Sequence, residues 1–119
     1  MLLQLHRPDG PERVGFILNG DKVVEVENIA DKPNDAFQVR GEDLVRYEDD
    51  IVGTWHTHPF GTSQLSTEDY IAFLNYPMIE HWVIGRDGAR CYKVQGRAIV
   101  ECEDRYTPRV PEGSSSRPD

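Results

Sequence analysis

The run Asp50 to His58, DIVGTWHTH, constrains the fold more than any other segment of the chain. It is the most strand-like stretch, and Pro59 closes it. Side chains two apart on a strand share a face, so His56 and His58 project together with Cα atoms about 6.6 Å apart. Two imidazoles at that separation can converge on one metal ion. The segment is expected near the centre of a sheet, with the rest of the chain arranged around it.

The flanking sequence supplies the other layers. Met1 to Leu5 and Gly15 to Asn19 read as short apolar strands, and Gly20-Asp21 is a turn signal leading into Lys22 to Ala30 as a hairpin partner. Lys32-Pro33-Asn34-Asp35 breaks the chain, Phe37-Gln38-Val39 alternates like a strand, and Gly41 to Tyr47 suits a short helix with Leu44, Val45 and Tyr47 inward. Ser66 to Tyr76 predicts the main helix. It opens on a Ser-x-x-Asp cap, carries Tyr70, Ile71, Phe73 and Leu74 on one stripe, and stops before Pro77. Three strands follow, Glu80 to Gly85, Ala89 to Gln95 and Ala98 to Glu103, turning at Asp87-Gly88 and Gly96-Arg97.

A two-residue turn with glycine first places Cys91 opposite Cys102, within about 5.5 Å and close enough for a disulfide. Two buried, reduced thiols are the expected state, because two cysteines are too few for a disulfide framework and fit a cytoplasmic chain. The fold class is mixed α/β or α+β. One domain is expected over residues 1–103, with a Pro- and Ser-rich tail or linker remnant at 104–119.

Composition excludes several function classes. Among 119 residues, 13 basic against 21 acidic side chains give a net charge of −8, which disfavours a nucleic-acid binder that works by neutralising phosphates. No apolar run approaches the roughly 20 residues of a membrane helix, and the opening residues lack the basic region of a secretory signal.

The chemistry concentrates in Trp55-His56-Thr57-His58-Pro59 with Ser66 and Asp69. Asp69 falls in the first helical turn, where the helix dipole favours a carboxylate, and it can complete a His₂Asp set. Three protein ligands leave zinc a fourth position for water, whose pKa the metal brings towards neutrality. Taken alone, Ser66 and Asp69 are an ordinary helix cap, and His-x-His is often two polar side chains. Glu12 is the candidate general base, with a surface glutamate as the alternative. Trp55 and Trp82 are expected as core residues or pocket walls, His81 as a structural histidine, His6 in solvent, and Glu48-Asp49-Asp50 as a solvated turn.

The pattern Glu12-x-x-Gly15, then His56-Thr57-His58-Pro59, six residues, then Ser66-x-x-Asp69, resembles the JAMM (MPN+) metalloprotease family at every motif position. The resemblance spans roughly residues 1–103. It implies a curved mixed sheet with flanking helices, similar to the cytidine-deaminase architecture. It also implies zinc held by His56, His58 and Asp69, with Glu12 deprotonating the attacking water and passing the proton to the leaving amine. Ser66 would donate to the oxyanion, a role whose loss costs about 10²–10³ in rate at comparable sites. Two compact branches fit. One is the JAMM domain of phage tail assembly proteins, often beside an NlpC-type peptidase, and Ser66 to Gly85 reads more like it. The other processes ubiquitin-like or sulfur-carrier proteins. The implied partner is a tail protein or ubiquitin-like substrate, in the cytoplasm or the virion tail. A non-catalytic MPN-type assembly subunit is the alternative.

Overall fold

The computed structural model describes residues 2–34 and 36–102. The tail expected at 104–119, together with Met1, Asp35 and Glu103, lies outside the described residues. The fold is mixed α+β: one six-stranded sheet with two flanking helices. Six strands run as β1 (Val14–Leu18), β2 (Lys22–Val26), β3 (Ile51–Thr57), β4 (Glu80–Gly85), β5 (Gly88–Gln95) and β6 (Ala98–Cys102). The helices are α1 (Gly41–Tyr47) and α2 (Thr67–Leu74). Among the described residues no helix is long and apolar enough to cross a membrane.

The sheet order is β2-β1-β3-β4-β5-β6, which puts the histidine strand in its interior. β3 and β4 are parallel, joined through α2, and the other neighbours are antiparallel. β1 is buried throughout, and β4 is buried after Glu80, as expected of strands covered on both faces. One face gathers Ile17, Trp55, Trp82, Ile84, Ala89 and Cys91, with Leu5 packed on them. The other gathers Phe73, Val83 and Tyr92 beneath α2. Trp55 and Trp82 are wholly buried, as core tryptophans should be. Glu48, Asp49 and Asp50 are exposed before β3.

Several local expectations are corrected. Leu2–Leu5 forms a 3₁₀ turn, not a strand: Leu5 packs on the tryptophan face, and no strand among the described residues pairs with the segment. Phe37-Gln38-Val39 forms no strand; Ile29 N–H donates to the Gln38 carbonyl at 2.9 Å without a ladder forming. α1 contributes no buried residue: Val45 is exposed, while Leu44 and Tyr47 are half-buried and Tyr47 lies against Phe16. In α2 the inward residues are Asp69 and Phe73, and Tyr70 and Ile71 face outward. The helix is rotated from its apolar stripe because Asp69 turns towards the histidines. The β4–β5 turn is Arg86-Asp87, one residue earlier than expected.

The β5–β6 register places Gln95 opposite Ala98 and Cys91 opposite Cys102, as the turn chemistry predicts. Gly96 takes the positive φ of 63° that its first turn position requires. The expected reduced state is corrected, however: Cys91 and Cys102 are joined in a disulfide, with Cα atoms 5.2 Å apart.

Candidate metal centre

Glu12 lies two residues before β1, and its main chain is held from two neighbouring segments. Its N–H donates to the Pro33 carbonyl at 2.6 Å, and the Asn28 amide donates to its carbonyl at 2.8 Å. The next residue locks β1 to β3. Arg13 N–H donates to Thr57 Oγ1 and Thr57 N–H donates to the Arg13 carbonyl, each at 2.9 Å. Val14 then pairs with His56, so the chain before β1 passes beside the histidines. Glu12 is buried, and its carboxylate lies within 4.8 Å of a ring nitrogen of both His56 and His58.

Gly15 permits this approach. A Cβ there would run into the Val24 carbonyl and reach 2.6 Å from Trp55 Nε1. That indole N–H donates to the same Val24 carbonyl at 3.0 Å. The glycine of the Glu-x-x-Gly pattern is thus a packing requirement of the strand that delivers Glu12.

Strand geometry brings the two imidazoles together. His56 Nε2 and His58 Nε2 are 3.2 Å apart. Beyond β3, His58 N–H still bonds the Ile84 carbonyl at 2.8 Å, which keeps its side chain on the same face. α2 contributes Asp69, whose Oδ1 is 3.0 Å from His56 Nε2 and whose Oδ2 is 3.0 Å from His58 Nε2. The helix start fixes that carboxylate. Ser66 Oγ accepts from Asp69 N–H at 3.1 Å, and Asp69 Oδ2 accepts from Ser66 N–H at 3.0 Å, forming a capping box. The cap and the cluster are one arrangement, with the cap aiming the acid.

The electrostatics follow from these contacts. Burial pushes His56 below its ordinary value, with Asp69 only partly offsetting it. Burial acts the same way on His58, but the Asp69 hydrogen bond, the Thr62 carbonyl and the charges of Asp69 and Glu12 outweigh it and raise its pKa. Burial would raise Asp69, yet hydrogen bonds from His56, His58 and Ser66 hold it well below the usual carboxylate range. His58 Nδ1 donates to the Thr62 carbonyl at 2.8 Å, so in the neutral ring Nε2 is the nitrogen left with a lone pair towards the cluster, and in the protonated ring Nε2–H donates to Asp69.

Further residues matter to which sequence reasoning gave no part in the site. The His56 ring lies 4.5 Å from the Phe37 ring and 6.1 Å from that of Phe73. Both phenylalanines also line a cavity of about 580 Å³ between α1, α2 and the sheet, with Phe16, Leu44 and Ile51. His6, expected in solvent, instead lies half-buried with Nε2 3.2 Å from the His58 carbonyl. Ser63 ties down the loop between His58 and α2. Its N–H donates to Asp87 Oδ1 at 2.7 Å, its Oγ accepts from Arg90 Nε at 2.9 Å, and its carbonyl accepts from Tyr92 O–H at 2.9 Å. These partners come from the β4–β5 hairpin, 24 to 29 residues away, so no local pattern could signal them.

His81 takes no part in the cluster. Its Nδ1 pairs with Thr54 Oγ1 at 2.8 Å and its Nε2 with the Tyr76 carbonyl at 2.9 Å, while its ring stacks on Phe73. It is the structural histidine expected. A second group, Glu80, Cys91 and Cys102, also places one donor atom from each residue within 4.8 Å of the others.

Among the described residues these are two groups whose donor atoms lie close enough to coordinate a metal, the sulfurs of the second being joined in the disulfide. No family model matches the chain, and no curated protein matches it.

Proposed function

We propose that the chain is a zinc-dependent metallopeptidase or isopeptidase of the JAMM type, hydrolysing an amide bond. One observation carries this reading: two imidazole nitrogens and a carboxylate converge at 3.0 to 3.2 Å, with a buried glutamate alongside. The donor set fits the metal. Zinc–ligand distances of about 2.0–2.2 Å in a tetrahedron place ligand atoms roughly 3.3–3.6 Å apart, a little wider than the separations in this cluster, and two nitrogens with one oxygen are ordinary zinc donors. His56, His58 and Asp69 would hold the ion. When bound, zinc lowers the pKa of water at its open position and polarises a carbonyl.

The remaining roles belong to side chains of this protein. Glu12, beside both imidazoles, takes the proton of the attacking water and returns it to the departing amine. Ser66 Oγ accepts from Asp69 N–H through a lone pair, which leaves its hydroxyl hydrogen to donate to a developing oxyanion. The apolar cavity that shares Phe37 and Phe73 with His56 offers a wall for substrate side chains. The substrate class we favour is an extended protein tail, of a phage tail-tip or ubiquitin-like protein. Such a tail can pair with a sheet edge, and a separately encoded NlpC-type peptidase is a fitting companion.

The test is metal content and turnover together. Purified protein should carry about one zinc per chain in this centre, lost in His56→Ala and Asp69→Ala. Glu12→Gln should retain the zinc and lose roughly 10²–10⁴ in cleavage of tail-derived peptides or fusion proteins. Wild-type protein that excludes zinc would sink the hydrolase. A Glu12→Gln allele that fully replaces wild type in the cell, while deletion does not, would favour the assembly-subunit reading.

A further inference from the structure

The cystine lies on the sheet face opposite the histidine centre. Cys91 belongs to the tryptophan face with Trp55 and Trp82, whereas His56 faces Phe73 on α2. On β4, Trp82 pairs with Cys91, and Glu80 stands two residues earlier on the same face. A glutamate diagonal to its cross-strand neighbour is within side-chain reach. That is why the Glu80 carboxylate comes within 4.8 Å of both sulfurs. Cys91 is buried, but Cys102 and Glu80 are half-buried, and Cys102 ends the described part of edge strand β6. The group is therefore reachable by a small solute from the edge.

We propose that reduction of the Cys91–Cys102 disulfide creates a second metal site, in which the two thiolates and the Glu80 carboxylate hold a zinc(II) ion. The sulfurs stay neighbours after reduction because five β5–β6 partner pairs and the Gly96 turn, not the disulfide alone, set the register. Burial disfavours a lone thiolate, so loss of the thiol protons and arrival of the cation go together. Thiolate donors select zinc over magnesium or calcium, and one carboxylate completes a three-ligand set with an open position. The chemistry balances. Two small thiols supply two electrons and two protons to the cystine and leave joined as their own disulfide. Zinc then displaces the two cysteine protons into solvent. The site is open to metal only in the reduced protein, which makes it redox-gated and independent of the hydrolase reading.

The experiment uses the full chain with the histidine centre disabled by His56→Ala and Asp69→Ala. Oxidised protein should bind no zinc; after reduction with a phosphine and its removal, it should bind about one equivalent. Cadmium added to the reduced protein should give the ultraviolet absorption of a metal–thiolate bond. Cys102→Ser should abolish both signals, and Glu80→Gln should weaken zinc binding by ~10-fold or more. Circular dichroism on each sample reports whether the chain is folded. Reduced protein that takes up no zinc overturns the proposal, whether it stays folded or unfolds. Binding unchanged in Glu80→Gln overturns the carboxylate as a ligand.

Discussion

Gly85 sets the position of the loop that carries His58 towards α2. A Cβ there would collide with the main chain of Thr62 and Ser63, reaching 2.6 Å from Thr62 Cα. The Thr62 carbonyl orients His58, so crowding at Gly85 is transmitted to a residue of the candidate metal centre. Gly85→Ala should therefore cost about 1–3 kcal/mol in denaturant unfolding and weaken zinc binding as well. Stability and zinc affinity both unchanged would refute the tight contact. At this scale the sequence was partly legible. His56, His58 and Asp69 stand in one short stretch of chain, but Phe37 and Thr62 announce nothing by type.

The elements differ in how much of their placement the sequence controlled. β3 and the start of α2 follow local rules, the first by strand alternation and the second by the Ser66–Asp69 cap. Removing that cap with Ser66→Ala should lower stability by ~1 kcal/mol. A Ser66→Thr variant should recover the stability, so any activity it fails to regain separates the oxyanion role from the cap. The loop before α2 depends on distant partners. Tyr92→Phe leaves the buried Ser63 carbonyl without its 2.9 Å donor and should cost roughly 1–3 kcal/mol by thermal melting. The orientation of α2 was not readable from its apolar stripe. Four apolar residues suggested one face, yet Tyr70 and Ile71 lie outside because the buried acid fixed the rotation.

For the molecule as a whole, His81 should contribute to the pH dependence of stability beside His56, which burial also pushes down. Burial is the main cause that pushes the His81 pKa from 6.5 down to about 4 in the folded chain. The unfolded chain binds this proton first as pH falls, so the contribution of neutral His81 is fully present above about pH 6.5 and drains away down to about pH 4. The loss should be of order 3 kcal/mol, read as a falling denaturation midpoint across that window. His81→Gln should flatten the slope there. An unchanged slope in the variant would exclude His81 as its source.

What the sequence determined by itself was the direction of side chains within each element: the paired imidazoles on β3, the acid at the first turn of α2, and Cys91 opposite Cys102 across a glycine turn. These follow from fixed periodicities of two and 3.6 residues and from turn chemistry, which act over a few residues. Tertiary structure decided what met across elements. It brought Glu12 beside the histidines, because β1 pairs with β3, and it set Glu80 against the cystine. It also turned Asp69 inward at the expense of Tyr70 and Ile71. Such meetings depend on strand order and on which polar groups must be satisfied when buried, and neither is encoded in local periodicity.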